Sequence, residues 1–346
     1  MDEARFLQLI SRPDPTVEER VMRGCLRVLA AGYGCVVRTR NGLFDRGWKR
    51  SEAVGVPVIS IGNLTTGGTG KTPLVAYVVD WLKRCGKAPG IVSRGYRSVA
   101  GVNDEKLVLD RLCVGTQHVQ NPDRVTAVRQ LLANERVDVI VADDAFQHRR
   151  LQRDLDVVLI DALNPWGYGA LLPRGLLREP IDALRRAGVV VLTRADQLDA
   201  ESKQAIWNDV HRWRPETEPV EVAFQPMSVR SFSGELVDHL DDPVVAFCGI
   251  GNPDAFRATC QQAGLNVVGF RAFADHHHYS EQDLDTLGKL MERHQAKACV
   301  ATLKDVVKLP RPTINGRDVR FIDIAARVLS GSDVLDRALT QATLAR

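Results

Sequence analysis

The most informative part of the sequence, from Ile61 to Pro73, reads Ile-Gly-Asn-Leu-Thr-Thr-Gly-Gly-Thr-Gly-Lys-Thr-Pro. It follows an apolar run typical of a strand, Val58–Ile61, and opens a helix-like stretch, Pro73–Arg84. Glycines at such a junction let backbone N–H groups turn toward phosphate oxygens, and the helix N-terminus adds its dipole. Thr65 replaces the first glycine of the usual pattern, while the Gly-Gly-Thr-Gly-Lys-Thr core is kept. The stretch predicts a phosphate-binding loop (P-loop); an ordinary glycine-rich turn is the alternative.

The same motif assigns the groups that would hold a nucleoside triphosphate. Lys71 is expected to reach the β- and γ-phosphates, and the hydroxyl of Thr72 is expected to ligate Mg²⁺. The residues expected to line the phosphates are Thr65, Thr66, Gly67, Gly68, Thr69, Gly70, Lys71 and Thr72.

Short β-branched runs alternate with helix-like stretches around this loop. The runs are continuously apolar, as expected for parallel strands that are covered by helices on both faces. Such a pattern is typical of a P-loop NTPase-like α/β fold with a doubly wound parallel sheet. The predicted strands of this part are Val58–Ile61, Gly90–Ser93, Val137–Ala142, Leu155–Asp161 and Val189–Thr193.

A second, smaller α/β set follows a stretch that reads as a β-ribbon or linker, Val220–Leu240. Its predicted strands are Val244–Phe247, Val267–Phe273, Ala298–Thr302 and Val319–Ile324, with a helix near Glu281–His294. We therefore predict a basic helical segment at 1–50, a nucleotide-binding domain at 51–225, a smaller α/β domain at 226–332 and a C-terminal helix at 333–346.

Composition places the chain among ordinary globular proteins. Its 346 residues are 45% hydrophobic and 26% charged, which excludes a disordered or collagen-like chain. The seven cysteines are scattered and form no Cys-x-x-Cys pair, so we expect reduced thiols rather than disulfides or a zinc site. The start of the sequence is acidic and lacks an apolar core, so no cleavable signal peptide is predicted.

The formal net charge of +3 contains a local excess of positive charge. Between Arg20 and Arg50 there are eight basic residues and one acidic residue, giving +7, so the rest of the chain carries −4. Within this segment the 13 residues from Cys25 to Val37 are largely apolar. Because a bilayer span needs about 20 such residues, we expect an amphipathic helix that associates with a membrane surface. A helix packed on the protein, with solvated arginines, is the alternative.

Two aspartates end a predicted strand. Asp143 and Asp144 directly follow Val137–Ala142. Carboxylates at the C-terminal end of a parallel strand lie where an α/β nucleotide site needs its Mg²⁺ partners. Solvated loop aspartates are the alternative, which the preceding apolar run disfavours.

Two further patterns carry less information. His276, His277 and His278 are adjacent and cannot all face one ion, so no zinc site is predicted there. The sequence from Thr193 to Asp196, Thr-Arg-Ala-Asp, is similar to the base-reading loop of GTPases. Arginine stands where those proteins have lysine, so guanine specificity is not inferred.

Six motifs occur in a characteristic order: GNLTTGGTGKTP (62–73), SRGYRS (93–98), DDAFQHRRL (143–151), LLPRGLLREP (171–180), LTRAD (192–196) and TLKDVVKL (302–309). Together they resemble the tetraacyldisaccharide 4'-kinase family of lipid A biosynthesis, over nearly the whole chain from about residue 20. The resemblance implies a kinase that uses ATP and Mg²⁺. Its acceptor would be the 4'-hydroxyl of an acylated glucosamine disaccharide 1-phosphate, at the cytoplasmic face of the bacterial inner membrane.

The resemblance also implies residue roles. Asp104 is the expected base for the sugar hydroxyl, with His276 as its partner, and Glu105 is an expected Mg²⁺ ligand. Because Asp104 and His276 fall in different predicted domains, a cleft that closes on the substrate is expected. This chain reads Val-Asn-Asp-Glu-Lys at 102–106 where family members often read Gly-Asp-Glu-Pro. The other residues with an implied role in catalysis, metal binding or substrate contact are Asp143, Asp144, Lys71, Thr72, Arg94, Arg124, His148, Arg178 and Asp275.

Two other functions remain open from the residues themselves. One is a membrane-associated nucleotide switch, which would need no base for an acceptor hydroxyl. The other is a different P-loop transferase, or a GTP-dependent metallochaperone with a cysteine-rich metal motif. We predict a monomer whose partners are the lipid acceptor and the inner-membrane surface, and no nucleic-acid partner.

Overall fold

The computed structural model describes residues 3–95, 103–134, 136–238 and 241–344. Contacts divide the chain into two compact units. The first comprises residues 1–96, 115–223 and 327–346, and the second comprises residues 97–114 and 224–326.

The described helices are α1 (Glu3–Ser11), α2 (Val17–Asp45), α3 (Lys71–Arg84), α4 (Asp104–Leu112), α5 (Arg124–Asn134), α6 (Ala200–His211), α7 (Pro253–Gln262), α8 (Glu281–Arg293), α9 (Leu303–Val306) and α10 (Ser332–Leu344). The strands are β1 (Val58–Asn63), β2 (Pro89–Ser93), β3 (Gln117–Gln120), β4 (Val139–Asp143), β5 (Leu155–Asp161), β6 (Val189–Thr193), β7 (Val220–Ser231), β8 (Val244–Cys248), β9 (Val267–Ala272), β10 (Ala298–Thr302), β11 (Thr313–Ile314) and β12 (Arg317–Ser330). Short 3₁₀ turns lie at Gly167–Gly169, Ile181–Arg186 and Ala195–Gln197.

A parallel sheet forms the centre of the first unit, with its described strands in the order β3-β2-β4-β1-β5-β6-β7. Every residue of β1, β2, β4 and β6 is buried, which explains their continuously apolar sequences. This arrangement confirms the predicted doubly wound α/β fold. The edge strand β3 was not predicted, because its sequence Gln-His-Val-Gln lacks an apolar run.

Strand β1 lies between β4 and β5, although β2 and β3 follow it in sequence. The connections therefore change direction at β1. Open α/β sheets bind ligands beyond the C-terminal ends of their strands at such a point. The P-loop follows β1 and the Asp143–Asp144 pair ends β4, so the fold brings both motifs to this edge.

The second unit contains a smaller sheet in the order β12-β10-β8-β9, with all these pairs parallel and β11 antiparallel to β12. Its core includes Phe247, Leu287 and Phe321. Helix α4 belongs to this unit, and Val108 of α4 packs into the same core. The predicted division placed α4 in the 51–225 domain; the structure differs because the chain leaves the first unit after β2 and returns before β3.

Helix α2 is longer than the apolar stretch that predicted it. Thr16 begins the helix through a capping box with Glu19, which satisfies free backbone donors. The helix runs for 29 residues and packs Ala30, Gly34 and Val37 against the first unit. Within the described part of the chain, no helix is both long and apolar enough to cross a bilayer.

Candidate active site

The P-loop presents an open backbone surface. Gly67 and Gly70 have φ values of 110° and 84°, a region that side-chain-bearing residues seldom adopt. Gly70 is the N-cap of α3, so the helix begins directly at Lys71. A Cβ added at Gly67 or Gly68 would meet no atom within 4 Å. The loop therefore leaves room for a ligand at the N-terminus of α3, where an anion is favoured.

The end of β6 holds the P-loop in place. The hydroxyl of Thr193 donates to the carbonyl of Thr69 at 3.0 Å. Arg194 donates to the carbonyl of Gly68 at 2.7 Å and forms an ion pair with Asp161 at 2.6 Å. The Thr69 hydroxyl itself is buried and has no hydrogen-bond partner among the described residues. A buried hydroxyl of this kind fits a site that is completed by a bound polar group.

Four polar side chains meet at the start of α3. The Nζ of Lys71 lies 3.1 Å from Oδ1 of Asn63 and 3.6 Å from Oδ1 of Asp144. Arg178 donates to both carboxylate oxygens of Asp144 at 2.8 and 2.9 Å, and also to Asn63. We call Asn63, Lys71, Asp144 and Arg178 the phosphate-site cluster.

The phosphate-site cluster keeps Asp144 ionised. Burial alone would raise the pKa of Asp144, but the charge of Lys71 and the hydrogen bonds from Arg178 lower that pKa far below its usual range. Asp144 also has a positive φ of 50°, and its backbone N–H donates to the carbonyl of Ile61 at 2.9 Å. One anion therefore holds two cations beside the P-loop, which is the arrangement expected around transferred phosphate.

Asp143 and its neighbours lie deeper in the first unit. Asp143 is buried and stands in register with Ile61 of the adjacent strand. The almost fully buried Arg124 donates to the carbonyl of Asp143 at 3.3 Å. Burial lowers the pKa of Arg124 to about 10, against the opposing charge of Asp143. Burial and then the charge of Arg124 lower the pKa of His148 to about 4, so His148 is neutral at pH 7.

The first unit offers oxygen donors of the kind that Mg²⁺ prefers. Thr72 lies in the first turn of α3, and Asp143 ends the neighbouring strand β4. A hydroxyl and a carboxylate suit a hard cation that also keeps water and phosphate ligands. Arg94 is exposed just beyond β2. Glu105, the third expected metal ligand, lies exposed in the first turn of α4, in the second unit.

The second unit brings Asp104 and His276 together. Asn103 caps α4 by accepting from the backbone N–H of Lys106, which places Asp104 at the first helical position. Nδ1 of His276 lies 3.5 Å from Oδ2 of Asp104. His276 has a positive φ of 56° and is 48% exposed at its side chain. Its backbone N–H donates to Oδ1 of Asp275 at 3.0 Å and to the carbonyl of Gly249 at 3.2 Å.

The expectation that Asp104 and His276 come from two domains is therefore wrong. Both lie in the second unit, because α4 packs into its core. The pairing itself exists as predicted, at a separation of 172 residues in sequence.

The adjacent histidines have different environments. His277 stacks on Phe273 with ring centroids 4.7 Å apart, and its Nε2 lies 3.1 Å from Oδ2 of Asp283. His278 is exposed. Among the described residues, no group of three or more histidine, cysteine or acidic side chains is arranged to hold a metal ion.

Sequence reasoning missed Asn63, Arg194 and Glu179. Asn63 ends the buried strand β1 as Asp143 ends β4, so a polar residue at the end of a buried strand is the signal that could have found it. Arg194 was noted only as a departure from a GTPase motif. Glu179 is fully buried and lies in the motif LLPRGLLREP (171–180), but the motif alone assigned it no role.

The sequence and the structure match one family of known proteins. The family described as tetraacyldisaccharide-1-P 4'-kinase matches residues 22–343. A tetraacyldisaccharide 4'-kinase of an Anaeromyxobacter species (strain Fw109-5) is 37% identical over 330 residues, covering 89% of this chain and 88% of the relative. The enzyme of the same name from Syntrophus aciditrophicus is 34% identical over 352 residues, covering 94% of each.

A solved structure agrees with this match. The crystal structure of LpxK from Aquifex aeolicus in complex with ATP has a TM-score of 0.74 and 27% identity to this chain. It covers 93% of this chain and 99% of the Aquifex chain. The predicted resemblance is confirmed: this chain belongs to the tetraacyldisaccharide-1-P 4'-kinase family and is a kinase of lipid A biosynthesis.

Proposed function

We propose that this kinase transfers the γ-phosphoryl group of ATP to the 4'-hydroxyl of tetraacyldisaccharide 1-phosphate, using the residues described above. The observation that carries the proposal is the phosphate-site cluster beside an open P-loop. Phosphoryl transfer needs little covalent help from the protein, so placing cations around the phosphates supplies most of the catalysis.

The first unit handles the nucleotide. The backbone of residues 65–72 would line the phosphates of a bound nucleotide, and Lys71 would reach the β- and γ-phosphates. Asp144 and Asn63 orient the Lys71 ammonium, while Arg178 supplies a second positive charge. Arg124 and Arg94 are the further cations on this side, and burial together with the charge of Arg124 keeps His148 neutral.

Thr72 and Asp143 of the first unit are the proposed ligands of a magnesium ion, and Glu105 of the second unit is the further ligand that the family resemblance implies. When bound, the ion neutralises charge on the β- and γ-phosphates. The residues themselves supply the hard oxygen donors, and buried Asp143 is held at a fixed position by strand β4.

Asp104 is the proposed acceptor of the proton from the 4'-hydroxyl. A carboxylate is a weak base and works best when a partner orients it. His276, within hydrogen-bond reach of Asp104, orients the carboxylate or relays the proton. Asp275 fixes the backbone of His276. The exposure of this pair leaves room for a sugar hydroxyl.

We further propose that α2 places the enzyme on the cytoplasmic face of the inner membrane, as a monomer, where its lipid acceptor resides. Val21, Val28 and Val36 are 64%, 73% and 68% exposed and recur at seven- and eight-residue intervals. About two turns of helix separate successive members, so they share one outward face. Arg20, Arg27 and Arg38 are exposed on one flank of that face, which suits anionic lipid headgroups.

Transfer of label from γ-³²P-labelled ATP to the purified disaccharide lipid tests the proposed function. We expect a labelled lipid on thin-layer chromatography, and none with Lys71→Met. A membrane-associated nucleotide switch would hydrolyse ATP without labelling the lipid, and its nucleotide cycle would tolerate Asp104→Asn. Absence of labelled lipid with the wild-type protein would contradict the proposal.

A further inference from the structure

Glu179 is a fully buried carboxylate whose partners include two residues of α2. Arg40 donates to Oε1 of Glu179 at 2.6 Å, and the Asn41 side chain donates to the same oxygen at 3.1 Å. Arg186 donates to the other oxygen. Removing one partner of a buried ion pair strongly lowers the stability of the folded protein. The contact therefore fixes the C-terminal part of α2 to the segment that carries Arg178.

Helix α2 also holds the main chain of Arg178. The hydroxyl of Tyr33 donates to the carbonyl of Arg178 at 2.9 Å. On its other side, the N–H of Arg178 donates to the carbonyl of Leu64 at 2.7 Å, at the entrance of the P-loop. Residues 178 and 179 are thus held between α2 and the P-loop while the Arg178 side chain reaches Asp144.

A second set of contacts joins α2 to the segment after Asp144. Arg186, the other partner of Glu179, lies over the ring of Phe146 at 4.3 Å. Arg149 donates to the carbonyl of Asn41 at 2.9 Å and pairs with Asp45 at 2.8 Å. Both routes end on the segment that begins with Asp143 and Asp144.

We propose that Arg40 and Tyr33 are positioning residues for phosphoryl transfer. Acting through Glu179 and the main chain of Arg178, they set the Arg178 guanidinium against Asp144. The C-terminal part of α2 is then a scaffold of the nucleotide site, whereas its outward apolar face serves the membrane. This inference rests on the proposed role of Arg178 at the phosphates.

One consequence concerns truncation. Removing residues 1–50 would deprive the buried carboxylate of Glu179 of Arg40 and Asn41. It would also remove the hydrogen bond from Tyr33 to the main chain next to it. Such a deletion would weaken nucleotide binding as well as membrane binding, so it cannot separate the two roles. Point variants on the two faces of α2 separate them.

Arg40→Met, Glu179→Gln and the double variant test the inference, with Arg46→Met as the matched control. Arg46 is exposed at the end of the same helix, and its side chain donates to the carbonyl of Gly42 one turn earlier. Affinity for a fluorescent ATP analogue is measured without lipid, and steady-state kinetics with the lipid acceptor. We expect Arg40→Met to raise the analogue's Kd and to lower kcat, each by about tenfold, the scale of an interaction of roughly 1.4 kcal/mol.

The KM for the lipid should be unchanged in Arg40→Met, and Arg46→Met should match the wild type in every parameter. The double variant should lose less than the product of the single losses, because Glu179→Gln removes the buried charge that has lost one of its two cationic partners in Arg40→Met. Arg40→Lys should restore part of the loss.

A purely structural role would lower the folded fraction, and hence kcat, while leaving the analogue's Kd at the wild-type value. That result, or wild-type kinetics in Arg40→Met, would overturn the inference. Failure of the wild-type protein to label the lipid would refute the proposed function alone, because the nucleotide-affinity comparison needs no lipid.

Discussion

The phosphate-site cluster of the first unit and the Asp104–His276 pair of the second unit are held in opposite ways. Asp144 forms an ion pair with Lys71 and accepts two hydrogen bonds from Arg178. The main chain of Arg178 is in turn held by a hydrogen bond from Tyr33. Asp104 meets His276 in one contact of 3.5 Å, with the histidine half exposed. The phosphate groups are the same in every turnover, so charges that are fixed in place before the reaction stabilise them best. A proton acceptor must leave space for the incoming hydroxyl.

The largest effect is expected from breaking the fixed cluster. Lys71→Met removes the cation between Asn63 and Asp144, and we expect kcat to fall by about a thousandfold, the upper range for one preorganised charge. Asp144 would keep Arg178 as its partner, so the protein should remain folded. Steady-state kinetics checks the loss, and Lys83→Met, on the last turn of the same helix, is the control. A loss below tenfold would contradict the assigned role.

A change in the Asp104–His276 pair should lower kcat without changing the affinity for the nucleotide. Asp104→Asn keeps the size of the side chain but removes the base, and we expect kcat to fall at least about a hundredfold. The Kd of the ATP analogue should stay at its wild-type value, because the phosphate-site cluster belongs to the other unit. Asp110→Asn, on the same helix, is the matched control. Equal losses in both variants would remove Asp104 from the mechanism.

The close packing of Gly62 against Phe146 should contribute to the free energy of unfolding. A Cβ at Gly62 would stand 2.7 Å from the Phe146 Cβ and 3.0 Å from its backbone nitrogen. Gly62→Ala should therefore lower the free energy of unfolding by about 1–3 kcal/mol. Gly24→Ala, where an added Cβ meets nothing within 4 Å, should be neutral or stabilising. Thermal unfolding compares them, and an equal Tm for both variants would argue against close packing at Gly62.

The smallest effect concerns pH. Burial and Arg124 lower the pKa of His148 in the folded state to about 4, below its ordinary value of about 6.5. Between these values the unfolded state binds a proton that the folded state does not, so stability falls as pH falls from about 6.5 to 4. His148→Gln should lessen that decline. Denaturant unfolding at pH 7.5 and pH 5 measures it, and parallel declines in both proteins would show that His148 does not titrate as described.

The predictability of the two regions also differs. The P-loop, Asp143 and Asp144 could be placed from sequence because each directly follows a continuously apolar strand, and strand ends meet at one edge of a parallel sheet. The unit that contains Asp104 could not be predicted from sequence. Helix α4 lies between β2 and β3 in the chain, yet it packs into a core whose other residues lie more than 100 positions further along. Glu179 was missed because its burial by α2 is a tertiary contact that its motif alone does not show.

As a member of its family, this chain is a kinase that phosphorylates the 4'-hydroxyl of the disaccharide lipid. To test this activity, the purified protein is incubated with ATP, Mg²⁺ and tetraacyldisaccharide 1-phosphate, and the new phosphate is located by ³¹P–¹H correlation NMR. We predict a second phosphate resonance that correlates with the proton at carbon 4'. A product without that correlation, or ATP consumed with the lipid unchanged, would contradict the claim.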